Sequence, residues 1–109
     1  MTGFNFNRKK FAAGAAPLLM RDFIRKQAVI DFASIATTAK EDVTVAVPGA
    51  AVGDSAYVTP AAATGPTAGL ILSAWVSAAN VVTVRATNIT GSGVNADSAT
   101  YNIEVFKRF

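Results

Sequence analysis

From Ala28 onward the apolar residues of this chain recur at every second position, and no helical spacing interrupts them. A period of two puts alternate side chains on opposite faces of an extended strand, so each such run must bury one face against another sheet. Asp42–Val47 is the clearest run, with Val43, Val45 and Val47 on one side and Thr44 and Ala46 on the other. Val29–Ile35 aligns Ile30 with Phe32, and Ser55–Thr59 carries Tyr57 and Val58. Leu70–Ser77 is apolar on both faces around Trp75, a residue expected in the core. Val81–Thr87 aligns Val82, Val84 and Ala86, and Ala99–Lys107 sets Tyr101, Ile103 and Val105 opposite Asn102, Glu104 and Phe106. Turn formers separate the runs: Pro48-Gly49, Gly53-Asp54, the stretch from Pro60 to Gly69, Ala78-Ala79-Asn80, and the Gly/Asn-rich stretch from Asn88 to Ala96. Strands joined by turns with no helix between them predict an all-β domain over residues 27–109. The expected fold is an antiparallel β-sandwich, jelly-roll or Ig-like, of about six to eight strands.

Residues 1–26 follow a different rule and read as an extended basic arm. Phe4-Asn5-Phe6-Asn7 alternates aromatic and amide, and Arg8-Lys9-Lys10 and Phe11 follow. Gly14 and Pro17 oppose one long helix, although a short helix over 17–27 could start at Pro17, where the first helical position tolerates proline. A secretory signal is the competing reading of the apolar stretch Phe11–Met20. Gly14 and Pro17 interrupt that stretch, and Arg21-Asp22 stands where small residues should precede cleavage.

Charge divides the chain the same way. Of the net +3, residues 1–40 contribute +5 and the remainder −2. Such asymmetry marks a tail that meets an acidic partner, attached to a body with another task. The 109 residues contain no His and no Cys, so the commonest general acid/base, thiolate nucleophiles, disulfides and the usual transition-metal ligands are all missing. Asp31, Asp42, Asp54, Asp97 and Glu104 are scattered without a motif relating them, and the Gly-rich segments lack the Lys-Ser/Thr of a phosphate cradle. The expectation is a protein that is not an enzyme, with no catalytic residues, no cofactor and no metal. No membrane association is expected either, since the charge-free stretch Val43–Gly53 is half a span long and is broken by Pro48 and Gly49.

The outward strand positions (Thr44, Ala46, Thr59, Ser73, Thr83 and Ala86) are small and uncharged, and no Lys occurs between Val43 and Phe106. Solitary sheets usually guard their edges with charge or proline. The missing guards point to faces covered by neighbouring subunits, in a closed homo-oligomer such as a trimer. The candidate partner-binding residues are those of the arm: Phe4, Phe6, Arg8, Lys9, Lys10, Phe11, Arg21, Arg25 and Lys26. They could pair with phosphates and stack on bases. An alternating Phe-Asn segment can equally add as a strand to another protein's sheet. The acidic balance of the body offers nucleic acid no continuing basic surface, so protein docking is preferred and nucleic acid is the lesser reading.

Asp31-Phe32-Ala33-Ser34-Ile35-Ala36, Asp42-Val43-Thr44-Val45 and Gly49-Ala50-Ala51-Val52-Gly53-Asp54 together resemble a small β-sandwich domain found in tailed-bacteriophage virion proteins. The resemblance continues through Pro60, Gly69-Leu70, Ala74-Trp75-Val76-Ser77-Ala78, Val82-Thr83-Val84-Arg85, Asn88-Ile89-Thr90 and Ala99-Thr100-Tyr101. It covers about two thirds of the chain and leaves the arm outside. The resemblance implies a structural virion protein. Joined to the arm, it predicts a capsid decoration (cement) protein on the outer shell of the virion, assembled in the host cytoplasm and contacting the major capsid protein. A tail, neck or fibre-base protein is the alternative, and a nucleic-acid-binding module using the arm is the second.

Overall fold

The computed structural model describes residues 23–63, 65 and 67–108. Six strands follow in chain order: β1 (Phe23–Ile30), β2 (Lys40–Ala46), β3 (Ser55–Pro60), β4 (Leu70–Ala78), β5 (Val81–Asn88) and β6 (Ala99–Phe106). They make two antiparallel three-stranded sheets, ordered β1-β6-β3 and β2-β5-β4, with no helix among the described residues. The expectation of an all-β chain built from antiparallel sheets holds.

The alternation explains the packing. β6 and β5 are the central strands, and their inward residues Ile103, Val105, Val82, Val84 and Ala86 are wholly buried. Ile30, Phe32 and Tyr101 extend this core, with the Phe32 and Tyr101 rings edge to face at 6.0 Å. Val45 of β2 and Val47 just after it are buried while Thr44 and Ala46 face solvent, as their period of two requires.

Of consecutive strands, only β4 and β5 pair; the other connections change sheet. Two ends result. The entry end gathers Phe23 of β1, the β2–β3 loop, the β4–β5 turn and the residues after β6. The far end gathers the loops 31–39, 61–69 and 89–98. At the entry end Asn80 adopts φ 65°, a left-handed conformation that asparagine tolerates. It binds the facing loop three times: its N–H donates to Ala50 O, its carbonyl accepts from Val47 N, and its Oδ1 accepts from Gly49 N, each at 2.8 Å. At the far end the buried Asn88 side chain donates to Ile35 O (3.0 Å), Ala36 O (3.3 Å) and Ser92 O (2.9 Å). Its Oδ1 accepts from the N–H and hydroxyl of Thr90 at 2.8 and 2.7 Å. Gly69 lies beside this hub with φ 87°, where an added Cβ would strike Thr90.

β1 departs from expectation. It spans Phe23–Ile30 rather than Val29–Ile35, so Phe32 is buried from a loop. Residues 23–27 of the proposed 17–27 helix are extended and pair with β6, Phe23 opposite Phe106 and Gln27 opposite Asn102; residues 17–22 lie outside the described residues. The inward set is Ile24, Lys26, Ala28 and Ile30. A lysine among inward positions hides the period of two, which is why the strand reads as a helix or an arm. The sheet therefore starts at Phe23, four residues before the boundary expected at 27. Ala86 lies inward beside Val82 and Val84, as the alternation of β5 has it, and does not belong among the outward positions. The edges carry more protection than composition suggests. Lys26 points inward on edge strand β1, edge strand β2 opens with Lys40-Glu41-Asp42, and β3 ends in Pro60.

Candidate functional site

Of the nine arm residues singled out, Phe4, Phe6, Arg8, Lys9, Lys10, Phe11 and Arg21 lie outside the described residues. The other two, Arg25 and Lys26, belong to β1, and neighbouring strand positions send them to opposite faces. Arg25 points outward to Glu104 at 3.6 Å. Lys26 points inward and its Nζ donates to Ala46 O of β2 at 2.6 Å. The two do not act as one basic patch. Residues 23–108 carry six basic and six acidic side chains, so the entire net +3 resides in residues 1–22.

The entry end of the first sheet is aromatic. Phe23 and Phe106 stack tilted at 5.0 Å between ring centroids, and Tyr57 of β3 meets Phe106 edge on at 5.6 Å. All three project from the outer face of the β1-β6-β3 sheet, where Phe23 is 47% and Tyr57 55% exposed. With Phe106 half-buried between them, the three rings make an exposed aromatic patch at one end of the sheet. The alternation places Phe106 on the outer face already in the sequence. Phe23 escapes notice there because its segment does not read as a strand.

The other outer face corrects the expectation for Trp75. Leu70 and Val76 point inward and are buried, whereas Ile71, Ser73 and Trp75 point outward, with Trp75 38% exposed. Register sets Ser73, Arg85 and Asp42 in one row across β4, β5 and β2. The Arg85 guanidinium lies 4.9 Å from the centroid of the Trp75 ring, a cation–π contact, and donates to both Asp42 carboxylate oxygens at 2.8 and 3.1 Å. Lys40 Nζ joins at 3.1 Å. The Arg85 hydrogen bonds, with Lys40 second among the favourable partners, lower the Asp42 carboxyl to a pKa of about 2 against an opposing desolvation. A Trp in an apolar strand sits outside because the strand's inner row is already filled by Leu70, Leu72, Ala74 and Val76.

A clasp closes the entry end. Asp54, whose side chain is 3% exposed, accepts from Lys107 Nζ at 2.6 Å, from Ala51 N at 2.9 Å and from Arg108 N at 3.1 Å. Those bonds, Lys107 first, hold its pKa at about 2. Lys107 also donates to Gly49 O at 2.6 Å, and Ile24 packs under Gly49. Loop 47–54, the residues following β6 and the start of β1 are thereby tied together at the entry end.

A recess of about 430 Å³ at the far end is lined by Pro60, Ala62, Thr67, Asp97, Thr100 and Tyr101. Asp97 is the sole carboxylate in its wall, with no second titratable group to share acid/base work apart from Tyr101, whose pKa burial raises. Among the described residues no three His, Cys, Asp or Glu side chains converge as a metal site. The surfaces that stand out among the described residues are the aromatic cluster of Phe23, Tyr57 and Phe106 and the Trp75–Arg85 face. Comparisons with family models, with curated proteins and with solved structures find no match to this chain.

Proposed function

We propose that this protein is a structural component of a tailed-bacteriophage virion, a capsid decoration (cement) protein. In this reading its body is a jelly-roll or Ig-like sandwich, assembled as a trimer on the outer shell, and its arm reaches across the major capsid protein. The observation that carries the reading is the separation of charge. A body of zero net charge bears exposed aromatic patches, and all the net positive charge lies in the 22 residues that precede it. Arg8, Lys9 and Lys10 would meet acidic capsid residues, and Phe4, Phe6 and Phe11 would bury apolar area at about 25 cal/mol per Å². Several modest arm contacts tied to one oligomer give avidity without any single tight site.

The test is deletion of residues 1–22, which spares every residue of β1. The truncated protein should keep the circular dichroism of a β-sheet domain and lose attachment to expanded capsids. Undiminished attachment overturns the role of the arm. A copy number in the hundreds per particle supports the capsid, while tens or fewer would assign the protein to a tail, neck or fibre base. Steep salt-dependent binding of DNA by the full chain, lost with the arm, would favour the nucleic-acid reading instead.

A further inference from the structure

The recess at the far end holds two polar groups that the fold itself does not use. It lies where β3 ends against β6: Pro60 pairs with Tyr101, and Ala61 N donates to Thr100 O at 3.0 Å, one bond beyond the strand. Loop 61–69 supplies the facing wall. Its two ends are set by turns, Gly65 N bonding to Ala62 O at 3.2 Å and Leu70 N to Thr67 O at 3.1 Å. Asp97, two residues before β6, completes the lining. The space of about 430 Å³ falls within the range of small-ligand sites.

Tyr101 is 2% exposed, and its hydroxyl has no hydrogen-bond partner among the described residues. Buried hydroxyls are nearly always paired, so an unpaired one bordering a recess marks a place where a guest completes the bonding. Burial raises the pKa of this phenol, so it stays protonated and can both donate and accept. Asp97 is exposed, and among the described residues it pairs with no cation and accepts no side-chain hydrogen bond. Thr67 and Thr100 add hydroxyls to the wall, and Pro60, Ala62 and Ala68 add small apolar surface.

We propose that this recess binds a primary alkylammonium group, with its charge on Asp97, one N–H on the Tyr101 hydroxyl oxygen and its alkyl stem against Pro60, Ala62 and Ala68. The chemistry of the wall selects this class. A carboxylate can only accept, so the guest must donate, and a charged donor makes the shorter and stronger bond. An anion would meet Asp97 with no basic residue in the lining to receive it. A sugar ring or a base gains most from an aromatic face to stack on, and buried Tyr101, the aromatic residue here, offers its hydroxyl and almost no ring face. An ammonium on an unbranched stem is carried both by free amines and by the lysine side chains of other proteins, and the recess takes the same group from either source. None of its residues takes part in attachment through the arm, so the site stands apart from that reading.

The test is titration of the isotope-labelled full-length protein at neutral pH with n-butylammonium chloride and with lysine capped at both backbone ends, followed by amide NMR shifts. Saturable shifts at Asp97, Thr100 and Tyr101 are expected with the cations and not with n-butanol, which has the same stem and no charge. Asp97→Asn should weaken binding about tenfold and Tyr101→Phe about threefold. Tyr101→Phe should leave the urea midpoint unchanged, because its hydroxyl has no protein partner to lose. A lowered midpoint would give that hydroxyl a structural role and overturn its part in the site. Tighter binding of the capped lysine assigns the recess to a protein side chain, and tighter binding of butylammonium assigns it to a free amine. Equal shifts with n-butanol, affinity indifferent to Asp97→Asn, or no saturable shift from either cation up to about 50 mM overturns the proposal.

Discussion

Arg85 lies between Asp42 and Trp75, giving both hydrogen bonds of its fork to the carboxylate while its guanidinium rests 4.9 Å from the indole centroid. Three strands of one sheet each contribute one member, so the trio fastens β2, β5 and β4 together from the solvent side. Arg85→Ala should leave the indole without its cation and expose it, shifting Trp75 fluorescence to longer wavelength. The loss in denaturant midpoint should be modest, because all three groups are partly exposed and their attraction is screened. Arg85→Lys should restore part of the stability and less of the fluorescence, since an ammonium lacks the planar fork.

Acid should loosen the fold at two paired carboxylates. Asp54 and Asp42 ionise in the folded protein at about 2, below the ordinary 3.8. A carboxylate with a lowered folded pKa stabilises the fold above its unfolded value, and that contribution is lost as pH falls from about 4 toward 2. Thermal unfolding followed across this range should show a declining midpoint. Asp54→Asn should lower the midpoint at pH 7 and flatten the decline, and Lys107→Gln should do the same less strongly.

Asn88 should tolerate almost nothing. Its amide donates to carbonyls of loops 31–39 and 89–98 while its oxygen accepts from Thr90. Asn88→Asp keeps the shape and sets an anion against three carbonyl oxygens; a loss of about 3 kcal/mol or more is expected in urea unfolding. Asn88→Ala should cost less than the aspartate, because an absent group is milder than a repelled one.

The centre and the face of the first sheet should respond differently. Ile103 has no exposure, and Ile103→Ala should cost about 3 kcal/mol. Val29 is 69% exposed on β1, and Val29→Thr should change stability by less than about 0.5 kcal/mol. Equal effects would mean that the outer face is covered in the protein as purified, and sedimentation at two concentrations would then identify self-association.

The alternation alone determined that this chain is all-β, where five of its strands run, and which residues of β2, β5 and β6 form the core. A period of two is a local property, readable wherever an inward row is apolar. β1 broke that condition at Lys26, because a long side chain can reach across to β2 and spend its ammonium on Ala46 O, a group 20 positions away in the chain. The side chosen by Trp75 was likewise undecidable locally: both rows of β4 contain large apolar residues, and only the place of β4 beside β5 set Trp75 against Arg85. Asn88 looked like the first residue of a loop until the folded chain brought two loops to its amide. Charge told the same story in two steps. The sequence located the basic residues near the start of the chain, and the pairing of Phe23–Lys26 with β6 moved the boundary, leaving a neutral body and a separate basic segment. Strand pairing, inward charges and buried amides depend on residues distant in sequence, and tertiary structure alone brings them within reach.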